Sequence, residues 1–225
     1  MTSRHATHAT HALIAGGVLL ALYPAVRPWG DMTVDGEGTA FASVAWPLAH
    51  LAAVAGFALV AVGLLGLRDA LSDGPGAGAA RGALGTWWLG TALVLPYYGA
   101  EAFALHTLGT RGDVDPALVE AIRMGAVQVT VFGVGLAAFA VAGVLAAVAV
   151  LRSGVLPRWE GAAFAVGFAL YLPQFFAAPE LRIAHGVLVA VGCVLLGTAV
   201  AAYAPPGTRS PRVTSARAAS SSSGG

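Results

Sequence analysis

The sequence predicts an all-α fold, a polytopic transmembrane helical bundle of about six spans, and three observations predict it. Of 225 residues, 57% are hydrophobic and only 10% are charged, with a mean hydropathy of +0.77; soluble domains carry about a quarter of their residues as charged types. Six long, nearly uncharged runs follow one another along the chain. The basic residues, all arginine, cluster between those runs rather than within them. A formal net charge of +1 excludes a nucleic-acid binder working through a broad basic face. The single cysteine, Cys193, excludes a disulfide framework or a Cys-rich metal site.

Residues 1–11 read as a short cytoplasmic terminus, in which His5, His8 and His11 recur every third position as bland polar residues on a frayed end. An arginine followed by an apolar run resembles a secretory signal, but no small-residue cleavage site closes it, so an uncleaved first span is expected. Residues 12–204 form the membrane domain, with spans at 12–26, 46–67, 83–107, 126–151, 161–177 and 179–203, each near the roughly 20 residues needed to cross the hydrocarbon core. Abundant glycine within them predicts close helix packing. A loop over 27–45 carries Asp31, Asp35 and Glu37, whose spacing does not match a calcium-binding loop. The segment DPALVEAIRMG predicts a short interfacial helix, capped by Asp115 with Pro116 in its first turn. Residues 205–225, rich in Ser, Arg and Pro without periodicity, read as a disordered tail.

The arginine balance sets the orientation. With both termini cytoplasmic, Arg4, Arg68, Arg81, Arg152 and Arg158 lie inside together with the tail arginines, and Arg27, Arg111, Arg123 and Arg182 lie outside. The localisation expected is a multi-pass protein of the cell membrane. Proline beside tyrosine recurs near the outer ends of three helices, in LYP, LPYY and YLP, a pattern that predicts three similar helical hairpins.

The residues able to carry chemistry lie toward those outer ends. Glu101 is foremost, because a carboxylate about 10 Å inside a membrane helix faces a cavity or a partner. Trp87, Thr91, Tyr98 and Glu101 share one helical stripe, and Pro96 bends the helix beside them. No arginine lies in the same helix, so Glu101 is expected to be neutral, bonded to His106, His50 or a tyrosine hydroxyl. Tyr97, Gln128, Gln174, Glu180 and His185 complete the predicted pocket, with Glu180 also suited to a helix start. The catalytic candidates are Glu101, Tyr98 and His106; no metal ligand set is recognised.

The segments AEAFALHTLG, RSGVLPRWEG and LYLPQFF followed by LRIAHGVLVAVGC resemble a group of six-span membrane proteins from actinobacteria and related bacteria. The similarity extends from about Leu22 to Tyr203. It implies the same hairpin arrangement with RPWGD in an outer loop, and it implies no catalytic assignment, since no activity is established for that group.

Three functional readings follow, and the sequence leaves open whether the protein is an enzyme. A buried acid beside aromatic faces suits acid-base chemistry of isomerase or cyclase type on a lipophilic, isoprenoid-like substrate, without a cofactor. Two of His50, His106 and His185 suit haem b in quinone or electron transfer. A polar cluster can also serve a non-catalytic lipid-binding or structural protein. The expected partners are membrane lipids and a lipophilic small molecule, with no nucleic acid; protein partners are not indicated.

Overall fold

A computed structural model describes residues 3–203, and the predicted tail at 205–225 lies outside the described residues. The described chain is helical throughout, without strands. The principal helices are α1 (Ser3–Val26), α2 (Val34–Ala42), α3 (Ala45–Ala70), α4 (Ala77–Gly99), α5 (His106–Arg111), α6 (Pro116–Met124), α7 (Ala126–Ser153), α8 (Arg158–Ala169) and α9 (Pro179–Ala202). Four of them, α1, α3, α7 and α9, are long and apolar enough to cross a membrane. This is an integral membrane helical protein by that measure.

Six helices form a closed ring in chain order. α1 packs on α3, α3 on α4, α4 on α7, α7 on α8, α8 on α9, and α9 returns to α1. Neighbours run antiparallel: in α1 and α9, Gly17 meets Cys193 while Gly186 meets Pro24, and Gly197 meets Thr10. Glycine permits the closest of these approaches. A Cβ on Gly192 would lie 2.8 Å from the backbone of Phe164, and one on Gly90 would lie 2.9 Å from the carbonyl oxygen of Gly135. Lipid offers no hydrophobic drive for helix association, so such backbone-to-backbone packing supplies the attraction.

Inside the ring the core is aromatic and dry. Phe57 stacks on Phe139 at 4.7 Å, Trp87 meets Phe168 edge-on at 4.7 Å, and Phe168 stacks on Tyr171. The Trp87 indole N–H donates to the carbonyl of Phe57 at 3.0 Å, so the one polar atom of that ring is satisfied.

Several predicted boundaries are corrected. α1 begins at Ser3, so His5, His8 and His11 belong to a helix rather than a frayed terminus. The buried Thr10 hydroxyl donates to Ala6 and to Gly197, tying this first part of α1 to α9. The 27–45 segment is not an extended loop: a 3-10 turn (Trp29–Met32) and α2 occupy most of it. The segment 161–177 is broken, because α8 ends at Ala169 and a 3-10 turn (Pro173–Phe176) follows it. Proline at the start of that turn cannot continue the helical hydrogen-bond ladder. α6 forms as expected, with the Asp115 side chain accepting from the Ala117 N–H at 2.9 Å.

Candidate functional site: a buried arginine–carboxylate cluster

Between α4 and α5 the helix widens into a π-helical stretch, Ala100–Leu105. It begins four residues after Pro96, whose ring has no N–H to give the preceding turn. π-Bulges recur at functional sites, and this one carries Glu101 into the end of the ring where α1 finishes and α3 and α9 begin. A cavity of about 250 Å³ lies there. His50, Tyr97, Tyr98 and Glu101, all predicted from the sequence, line it; so do Tyr23, Arg27, Asp31, Arg123 and Arg182, which the helix-stripe argument did not select.

The expectation of a neutral Glu101 is overturned. Its two carboxylate oxygens accept from Nε and Nη2 of Arg123, each at 2.9 Å, in a two-pronged ion pair. Arg123, in the last turn of α6, lines the cavity and supplies the cation that no residue of α4 could. The same Arg123 Nη2 reaches Asp31 Oδ2 at 3.1 Å, and Asp31 also pairs with Arg27. Burial alone would lower the Arg123 pKa, but the charges and hydrogen bonds of Glu101, and then the charge of Asp31, raise it above the ordinary arginine value.

Stacking holds the guanidinium groups in a ladder. Arg182 lies over Trp29 at 4.8 Å, and Arg27 over the same ring at 4.6 Å. Arg27 also lies over Trp46 at 4.9 Å, with Arg123 over that ring at 5.4 Å. Each contact adds a cation–π attraction, and Asp31 Oδ2, which accepts from both Arg27 and Arg123, bridges two of the three cations. Trp46 is fixed by its own N–H, which donates to the Glu101 carbonyl at 2.7 Å.

His50 sits beneath this ladder. Its Nδ1 lies 2.7 Å from the Trp46 carbonyl, which can only accept, so Nδ1 carries the proton. Nε2 faces Glu101 Oε2 at 3.6 Å, and the ring is enclosed by Tyr23, Trp46 and Tyr98.

The remaining predicted residues go elsewhere. His106 turns away to donate to the Phe41 carbonyl at 2.6 Å. Trp87 and Thr91 are buried but do not line the cavity, and the Thr91 hydroxyl is spent on the Trp87 carbonyl. Gln128 lies exposed at the start of α7, bonded to Ala121. Glu180 is exposed in the first turn of α9. His185 donates from Nε2 to Gly167 at 2.7 Å. Gln174 enters only indirectly, by accepting from Arg182 Nε at 3.1 Å. Of the three histidines considered as haem ligands, His50 alone lines the cavity.

Two features define what this arrangement can hold. Three arginines face two carboxylates, and Arg182, 7% exposed, has a neutral amide for its side-chain partner. In addition, Arg27 Nε and Nη1 and Asp31 Oδ1 are buried without a hydrogen-bond partner. Unpaired buried polar atoms are costly.

Comparison of the chain with protein-family models, curated proteins and solved structures finds no match.

Proposed function

We propose that this is a multi-pass membrane protein of six spans, with both termini cytoplasmic, that binds an anionic headgroup in the arginine cavity at its outer face. This develops the lipid-binding reading of the sequence and makes no use of acid catalysis by Glu101. The observation that carries it is the excess of one guanidinium over the carboxylates in one cavity, where the side-chain partner of Arg182 is a neutral amide. The six-span reading counts α4 and α8 with the four helices of spanning length, and its support is that both belong to the same closed ring. The outer placement follows from the arginine balance.

The anion class is a phosphate monoester in its singly charged form. Its anionic oxygens suit Arg27 and Arg182, and its P–OH is a donor for the Asp31 carboxylate. A sulfate ester has the same charge and shape but no donor. Titrating purified protein in zwitterionic nanodiscs with methyl phosphate and methyl sulfate at about pH 5, below a second phosphate pKa of about 6, tests the assignment by calorimetry. Saturable binding of methyl phosphate, weaker binding of methyl sulfate and a loss of roughly tenfold in Arg182→Gln are expected. Absence of methyl phosphate binding, or equal binding by Arg182→Gln, overturns the reading.

A further inference from the structure

A second, smaller space adjoins the charged cavity. It is a groove of about 230 Å³ between α4 and α7, lined by Leu93, Pro96, Ala100, Val127 and Val131, with Ile122 of α6 at its end. The two helices touch closely at Gly90 and Gly135, and the groove lies on the site side of that crossing. Residues 126–130 of α7 are all exposed, so this end of the helix stands clear of the bundle, where bilayer chains would meet it.

Cavity and groove share a wall. Tyr97 and Phe132 line both, and their rings stack at 4.1 Å, 21° from parallel. One side of that stack is charged and the other is apolar. Two side chains, each able to turn about its own bonds, are all that the shared lining places between them.

Resting on the headgroup reading above, we infer that the ligand is a single-chain anionic amphiphile taken laterally from the bilayer. Its headgroup lies in the arginine cavity, and its hydrocarbon chain passes the Tyr97–Phe132 stack into the groove between α4 and α7. Charge complementarity selects the headgroup end, because the cavity holds one more guanidinium than carboxylate. The apolar lining selects the other end, and the groove's volume of about 230 Å³ suits one chain.

Chain length is the property to vary. Methyl phosphate and hexyl phosphate carry the same headgroup, and each buried methylene tightens binding about fourfold. Calorimetric titration of nanodisc-embedded protein at about pH 5 is expected to give hexyl phosphate an advantage on the order of fiftyfold or more after subtraction of partitioning into empty nanodiscs. Val131→Trp fills the groove without touching the cavity and is expected to remove most of that advantage while leaving methyl phosphate affinity intact. Leu93→Trp does the same from the opposite wall and guards against a local packing defect in either variant. Arg182→Gln weakens both probes by a similar factor. Methyl phosphate binding with no gain for the hexyl ester, or a gain unchanged in both tryptophan variants, overturns the chain assignment and leaves the anion site standing. Failure of methyl phosphate itself to bind removes the underlying reading instead.

Discussion

The two ends of the ring treat the same residue types in opposite ways. At the end away from the site, Arg68 pairs with its sequence neighbour Asp69 at 2.6 Å, and the two side chains are 40% and 43% exposed. At the site end, Arg27 and Asp31 pair at 7% and 4% exposure and are joined to Glu101 through Arg123. The far end also holds the larger cavity, about 480 Å³, lined by the turn that follows α3 together with Ser153, Val155 and Tyr203. What distinguishes the smaller cavity is that its charges have been withdrawn from water and left incompletely satisfied, a condition a ligand can relieve.

The contrast can be broken most directly at Arg123. Arg123→Met leaves Glu101 without its cation, and a loss of about 3–5 kcal/mol is expected in denaturation of the protein from mixed micelles. Adding Glu101→Met to that variant should restore a substantial part of the loss, because the unpaired charge is removed as well; an additive double variant would mean that the pair is not coupled. Trp46→Phe is the intermediate case. It keeps an aromatic face against Arg27 and Arg123 but deletes the hydrogen bond to the Glu101 carbonyl, at a cost of about 1 kcal/mol by the same measurement. Arg68→Ala at the far end should change stability by less than about 0.5 kcal/mol, as half-exposed pairs do. A large effect there would erase the distinction between the ends.

The smallest effect expected is that of pH on the Arg123 contribution. Its pKa in the folded protein is raised, so the stabilisation is complete below the unfolded value and fades only as pH climbs through the still higher folded one. The stability difference between the parent protein and Arg123→Met should therefore stay constant between about pH 7 and 9, read from denaturation midpoints across that range. A steady decline over that window would show that the guanidinium is not held as the geometry requires.

Much of the architecture was legible because it rests on local properties. Long apolar runs, arginines at their ends, the Asp115 cap and the Pro116 first turn each act within a few residues, and α3, α6, α7 and α9 formed where they were expected, while α1 begins earlier. Glu101 stood out for the same reason, since its cost in a membrane helix does not depend on its neighbours. The interruption at Pro173 was also present in the sequence, but the apolar run around it concealed the break in 161–177. Trp87 and Thr91 were assigned to the pocket because a helical stripe records direction and not depth; Trp87 satisfies the Phe57 carbonyl in the dry core instead.

The composition of the chain by itself determined that it is a helical membrane protein with its ionisable groups gathered at the ends of apolar helices. Only the tertiary structure decided which of those groups meet. Arg123 lies 22 positions from Glu101 and 92 from Asp31, and no helical periodicity relates residues on different elements. The sequence reading left Glu101 neutral, although four arginines, Arg27, Arg111, Arg123 and Arg182, were expected toward the same end. The choice among them was made by ring closure, by the placement of the last turn of α6 at the cavity and by the two indoles on which the guanidinium groups stack, because ion pairing depends on distance in space while the sequence records only distance along the chain.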